Sequence, residues 1–140
     1  MSKPKRAADT SNLEQHLASA EESAREGHAH DLTLRAFTKG WTTRFSQDII
    51  DELVIPHRTF MRRKQKRENL NAAETDRALR LARIVLNAER VFHGRERADQ
   101  WLATPNAKFS NQTPYSLLKT EVGCHMIDET LLQIEHGVYA

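Results

Sequence analysis

Cys124 and His125 carry the two groups that covalent catalysis pairs, a thiol nucleophile and an imidazole base. Neighbours on a helix point about 100° apart, so these two cannot easily share the hydrogen bond that such a pair needs. His28 and His30 flank one alanine and could grip a metal, but no further ligand stands nearby, and a solvated linker accounts for them. Asp128 and Glu129 are more simply the acidic side of a helix than an acid–base couple. There is no G-x-S-x-G, no phosphate loop and no H-E-x-x-H. The chain is therefore expected to be no enzyme and to use no cofactor or metal, with Cys124 a small buried apolar residue.

A second group of residues suggests binding rather than catalysis. Arg58, Arg62, Arg63, Lys64, Lys66 and Arg67 crowd together, and no acid intervenes before Glu68. Like charges in one helix repel, so the cluster calls for a polyanionic partner. Arg58, Thr59, Arg62 and Gln65 repeat at three- and four-residue spacing and form one row. Arg and Gln can bond bidentately to guanine and adenine edges, while Arg63, Lys66 and the remaining cations would hold phosphates. An acidic protein face or a tRNA would satisfy the same charges.

These residues need two short helices to position them. Ser46 is an N-cap, Asp48 favours the first turn that follows it, and Phe45, Ile49, Ile50 and Leu53 form a buried face. Val54-Ile55-Pro56 breaks that helix, and Pro56 or His57 opens the next, with Phe60 as its core residue. Two short helices around a three-residue break are a helix-turn-helix pattern. Upstream, Asp31 is the expected N-cap of a helix holding Leu32, Leu34, Phe37 and Trp41, which Gly40 could interrupt. Residues 1–30 are polar and read as a frayed segment, although Leu13, Leu17, Ala20 and Ala24 are spaced for a weak helix. Lys3, Lys5 and Arg6 could touch phosphate there.

Asn71 and Glu74 have capping-box spacing and start the longest helix, which His93-Gly94 closes. Leu79, Ala82 and Leu86 line one edge of it, and Leu81, Val85, Ala88 and Phe92 the next. Arg77, Arg80 and Arg83 are expected to pair with Glu74, Asp76 and solvent. Ala98, Trp101 and Leu102 share a face of the helix that Pro105 ends, and Pro114 opens a short helix with Leu117 and Leu118 buried. Val122, Met126, Ile127, Leu131, Ile134 and Val138 then form an apolar stripe backed by Glu121, Asp128, Glu129 and Glu135, with no Lys or Arg from Glu121 onward. Gly137 suits the end of that helix.

With 140 residues the chain is long enough for one domain or two small lobes sharing a core. A net charge of +2 does not by itself announce a nucleic-acid partner; only the local clustering does. One cysteine rules out an internal disulfide framework and fits a reducing cytoplasm. No apolar run approaches the roughly 20 residues that span a bilayer, and the basic N-terminus lacks the apolar core of a secretory signal. There is no internal repeat. The expected segments are 1–30 polar, 31–70 helix-turn-helix, 71–94 connecting helix and 95–140 C-terminal.

Trp101-Leu-Ala-Thr-Pro-Asn106, Thr113-Pro-Tyr-Ser-Leu-Leu118, Thr120-Glu-Val-Gly123 and Ile134-Glu-His-Gly-Val-Tyr-Ala140 resemble the toxin-binding domain of the MbcA/ParS/Xre antitoxins. These partner RES-domain toxins in bacterial toxin–antitoxin operons. The resemblance runs from about Phe45 to Ala140. Asn111 stands where the family often has Gly and can keep the left-handed turn. The region around Arg58 also resembles the Xre-type fold of phage repressors, except that Val54 stands where such turns usually have Gly. The resemblance implies an all-α chain, with an Xre/Cro-like helix-turn-helix lobe packed through a long helix on a small helical toxin-binding lobe. It implies an antitoxin that covers the active site of an NAD-degrading RES toxin and autoregulates its operon. Its partners would be that toxin, operator DNA, a second copy and a larger hetero-oligomer with the toxin. Arg58, Thr59, Arg62, Arg63, Gln65 and Lys66 would face DNA. Trp101, Glu121, Asp128, Glu135, Tyr139 and the Ala140 carboxylate would face the toxin. A plain repressor whose C-terminal lobe serves only dimerisation is the alternative, and an RNA-binding adaptor is a third reading.

Overall fold

Polar side chains closing backbone N–H groups fix most of the helix starts in this chain. The computed structural model describes residues 4–27 and 32–137, with side chains from residue 12 onward except residue 24. Among the described residues the fold is all-helical. The α-helices are α1 (Pro4–Arg25), α2 (Leu34–Arg44), α3 (Gln47–Leu53), α4 (His57–Lys66), α5 (Ala72–Phe92), α6 (Arg95–Ala103), α7 (Pro114–Leu117) and α8 (Glu121–Glu135). The chain forms two compact units, one up to Ala82 and one from Arg83. The boundary falls inside α5.

In the first unit the polar N-terminal segment departs from expectation. Residues 4–25 are helical, and α1 packs on α2. Leu13 is fully buried, Ala20 nearly so, and His16 lies 5.8 Å from Trp41 between ring centroids. Composition misled because only a few inward residues anchor the helix, and tertiary packing rather than propensity stabilises it. Gly40 does not interrupt α2. A Cβ there would meet Leu13 and His16 at 3.7 Å, so the glycine simply sits where α1 packs closely. Thr33, not Asp31, caps α2, its hydroxyl accepting from the Ala36 N–H at 3.1 Å; Asp31 lies outside the described residues.

Ser46 caps α3 as expected, accepting from Ile49 N–H. The turn into α4 is closed by the N–H groups of Val54 and Ile55, which both donate to the Ile50 carbonyl at 3.0 Å. Val54 has φ −123°, a value open to a β-branched residue, so this turn does not need the glycine of the phage-repressor type. Arg77 Nε donates to the Val54 carbonyl at 2.8 Å instead of pairing with a nearby acid. Trp41 Nε1 donates to the Ala78 carbonyl at 2.8 Å, and Leu32 N–H to Thr75 Oγ1 at 3.0 Å.

In the second unit α5 ends at His93, which takes the left-handed conformation (φ 57°) before Gly94. Ser110 and Asn111 are also left-handed, at 56° and 63°, which keeps the turn predicted at Asn111. Thr113 caps α7 with Pro114 behind it, and Thr120 caps α8. Ile84, Val85, Ala88, Ala98, Leu102, Phe109, Leu118, Ile127 and Leu131 are buried. No described helix is long and apolar enough to cross a membrane.

Gly123 carries the tightest constraint in this unit. A Cβ at that position would lie 1.8 Å from the Leu117 carbonyl oxygen, which is backbone and cannot swing aside. Gly123→Ala should therefore cost at least about 2–3 kcal/mol through overpacking. Gly40→Ala meets only ordinary contacts. It should stabilise by about 0.5–1 kcal/mol, the usual gain from alanine in a helix interior. Urea denaturation of the two variants should move the midpoint in opposite directions.

Candidate functional site

The outer face of α4 carries most of the predicted nucleic-acid residues. Arg58, Arg62, Gln65 and Lys66 are exposed, and Thr59 is half-buried between them. None of the three cations has an ion pair among the described residues. Lys64 bends its ammonium over the Phe60 ring, 6.0 Å from the centroid.

Arg63 behaves differently from the other cations of the cluster. Its Nε and Nη2 donate to the two oxygens of Glu74 at 3.0 and 3.2 Å, and its side chain is only 17% exposed. Glu74 itself is buried and also accepts from the Asn71 N–H at 2.8 Å, while Asn71 Oδ1 accepts from the Glu74 N–H. The predicted capping box is thus present with an arginine fork added to it. Hydrogen bonding to Glu74 raises the Arg63 guanidinium above its ordinary value, opposed by burial and helped by the charges of Glu74 and Glu68. The signal for this role was in the sequence: Arg63 follows Phe60 by three residues, on the helix side that faces the core.

In the second unit, α8 presents its side chains differently from the predicted stripe. Its inward line is Gly123, Ile127, Thr130 and Leu131, with Cys124 beside it. Val122 is 72% exposed, Met126 38% and Leu132 55%, and His125 and Glu129 are exposed with them. The expectation of one stripe merged two lines about 100° apart: Val122 and Met126 on one, Gly123, Ile127 and Leu131 on the other. The inward line is complete on its own, and that spacing was the missed signal.

The acids of α8 divide in the same way. Asp128 receives a fork from Arg83 at 3.1 and 3.2 Å, and Glu135 pairs with Arg90. Arg83 had been expected to pair with acids near it in sequence. The Arg90 hydrogen bond, ahead of the charges of Arg90 and His136, holds Glu135 below the usual carboxylate range. Glu121 and Glu129 remain exposed. Trp101 is half-buried, its ring 5.3 Å from Phe92 and 6.4 Å from Phe109 between centroids, so most of it packs internally. Tyr139 and Ala140 lie outside the described residues, as do His28 and His30. Cys124 is buried against the Leu118 carbonyl while His125 points outward, so the two do not converge. No three His, Cys, Asp or Glu among the described residues could hold a metal ion.

Residues 87–137 match the family described as the antitoxin Xre/MbcA/ParS C-terminal toxin-binding domain. The Antitoxin Xre of Pseudomonas putida is 31% identical over 128 residues, covering 88% of this chain and 80% of the relative. The chain belongs to the Xre antitoxin family. Relatives with the same name in Yersinia enterocolitica and Photorhabdus laumondii are 29% and 31% identical over 101 residues, 71% of this chain and 68% of each relative. In this antitoxin the matched toxin-binding domain begins within α5 and contains α6, α7 and α8. The outward face of Val122, Met126 and Leu132 is therefore part of that domain, whereas α3 and α4 precede it.

The two faces of α4 should separate in mutagenesis. Arg63→Ala strips the buried Glu74 of its fork and should destabilise this antitoxin by about 2–4 kcal/mol. Arg62→Ala, on the exposed face, should stay within about 0.5 kcal/mol of the parent. Equal effects in urea denaturation would remove the distinction.

Proposed function

We propose that this antitoxin neutralises a RES-family, NAD-degrading toxin by covering its active site with the outward face of α8. The observation that carries the reading is that face itself. Val122, Met126 and Leu132 are exposed, with Glu121 and Glu129 on the same side. Large apolar side chains left in water on one helix mark a partner surface. The sequence has no Lys or Arg from Glu121 onward. A pocket that holds the pyrophosphate of NAD must be cationic, so an apolar face with an anionic margin complements it. Tyr139 belongs to the same proposal, as an aromatic anchor that follows α8 in sequence. Asp128 and Glu135 would act mainly through their pairs with Arg83 and Arg90, which set the register of α8.

The proposal extends to autoregulation. A homodimer in the cytoplasm would place α4 of each copy on operator DNA, with Arg58, Thr59, Arg62 and Gln65 toward base edges and Lys66 toward phosphate. The exposed, unpaired cations of α4 support this part of the reading.

Co-expression with the neighbouring open reading frame of the operon tests the first part. The expected result is a co-purifying complex in which NAD consumption is suppressed. Val122→Asp with Met126→Asp should release NAD consumption at least tenfold and leave the helical circular dichroism unchanged. Arg58→Ala with Arg62→Ala should keep the complex and lose operator binding. A C-terminal lobe that only joins two copies would give a dimer and no toxin complex, and suppression that survives both aspartates would place the contact elsewhere.

A further inference from the structure

The first unit holds a second cationic feature that α4 does not account for. An open groove of about 460 Å³ runs beside α2 and the exit of α4, lined by Leu34 together with Thr33, Arg35, Thr38, Lys39, Arg67 and Asn69. Three of these are cations and none is an acid. Arg35, Lys39 and Arg67 are exposed and have no ion pair among the described residues.

Two features of this groove work against local stability. Arg67 takes the left-handed conformation at the end of α4, with φ 55° and ψ 41°. Glycine or asparagine is the usual residue there, because a β-carbon is disfavoured. Arg35 and Lys39 are like charges four residues apart on α2, where they repel each other. A strained arginine and a repelling pair converge on one groove. Such costs collect where a ligand repays them.

We infer that this groove seats the phosphodiester backbone of duplex DNA. The inference rests on the proposed reading that α4 binds DNA, and it extends the contact from the base-facing row to a backbone track on α2. Arg35 and Arg67 present guanidinium forks that match phosphate oxygens, and Lys39 adds a point charge. Thr33 and Asn69 supply neutral polar groups at the same wall. The Asn69 side-chain oxygen accepts from the Leu34 N–H at 3.4 Å, which leaves its amide hydrogens for a ligand. Phosphate contacts of this kind set register and carry no sequence information, so the track should act on any duplex.

The test is fluorescence anisotropy of the full-length antitoxin with a labelled, mixed-sequence duplex, titrated between about 50 and 200 mM salt. Each lost phosphate contact should lower the slope of log K against log salt by about 0.9. Arg35→Ala with Lys39→Ala should lower it by about 2, and Arg67→Gly by about 1 with a several-fold loss of affinity at low salt. Arg67→Gly should at the same time raise the urea midpoint, because glycine removes the left-handed strain, while Arg67→Lys should keep the slope. If the parent binds and Arg58→Ala with Arg62→Ala weakens it, but the groove variants leave the slope unchanged, the groove assignment alone is overturned. Groove variants that weaken the toxin complex and not DNA would overturn it equally, in favour of a protein contact. A parent with no affinity for duplex at low salt overturns the DNA reading and the groove with it.

Discussion

A buried carboxylate constrains the whole of the first unit. Glu74 is taken out of water at the start of α5, and a charge there is tolerated only when its oxygens are fully engaged. Asn71 engages one oxygen as part of the helix cap, and the Arg63 fork engages both. The cap alone would start α5; the fork also ties α4 to it. Neighbouring residues on the same turns hold the other segments. Thr75 accepts from Leu32, Arg77 grips the turn at Val54, and the Ala78 carbonyl receives Trp41. The first turns of α5 therefore grip α4, the turn before it, the entry to α2 and α2 itself. That arrangement leaves the other side of α4 with no structural duty, which is why its cations remain unpaired.

The second unit reaches a comparable result with exposed pairs. Arg83 and Arg90 are seven residues apart on α5, and Asp128 and Glu135 are seven apart on α8. The two pairs advance in the same direction, so these helices run parallel and in step. Half-exposed ion pairs stabilise little, and the buried Ile84, Val85, Ile127 and Leu131 supply more of the energy. What the pairs settle is register. Gly123 allows the first turn of α8 to lie against the Leu117 carbonyl, where any side chain would be excluded. With the inward line fixed by this contact and the register by the arginines, Val122, Met126 and Leu132 are left facing solvent.

Much of the fold was legible because helix ends are written in local chemistry. Ser46, the Asn71–Glu74 box, Pro114 and Asn111 all act where their spacing places them, since caps and turns involve neighbours three or four residues away. The segment 4–25 was not legible, because a few buried residues such as Leu13 outweigh a polar composition only once α2 is there to receive them. Charge alone turns every cation of the cluster toward a partner, although Phe60 marks Arg63 as inward. Spacing alone presents the acids of α8 as a free face. Their partners are 45 residues distant in sequence, and no local spacing reveals a pair that the tertiary fold creates.

A net charge of +2 conceals two surfaces of different character. Internal pairing removes Arg63, Arg83 and Arg90 from the cations, and Glu74, Asp128 and Glu135 from the acids. Two of the surfaces that remain differ in sign. Among the described residues, the outer row of α4 and the groove beside α2 keep cations with no acid among them, whereas α8 keeps apolar side chains and two exposed carboxylates, with the Lys108 ammonium held at Gln133. On the proposed reading one surface meets a polyanion and the other a cationic pocket, and their separation serves both, because mixed surfaces would attract other copies of the chain as readily as its partners. Salt should then weaken the two contacts unequally. A phosphate contact of the kind proposed would depend on counterion release and fall steeply with salt. A toxin contact through α8 would depend mainly on apolar burial and should persist.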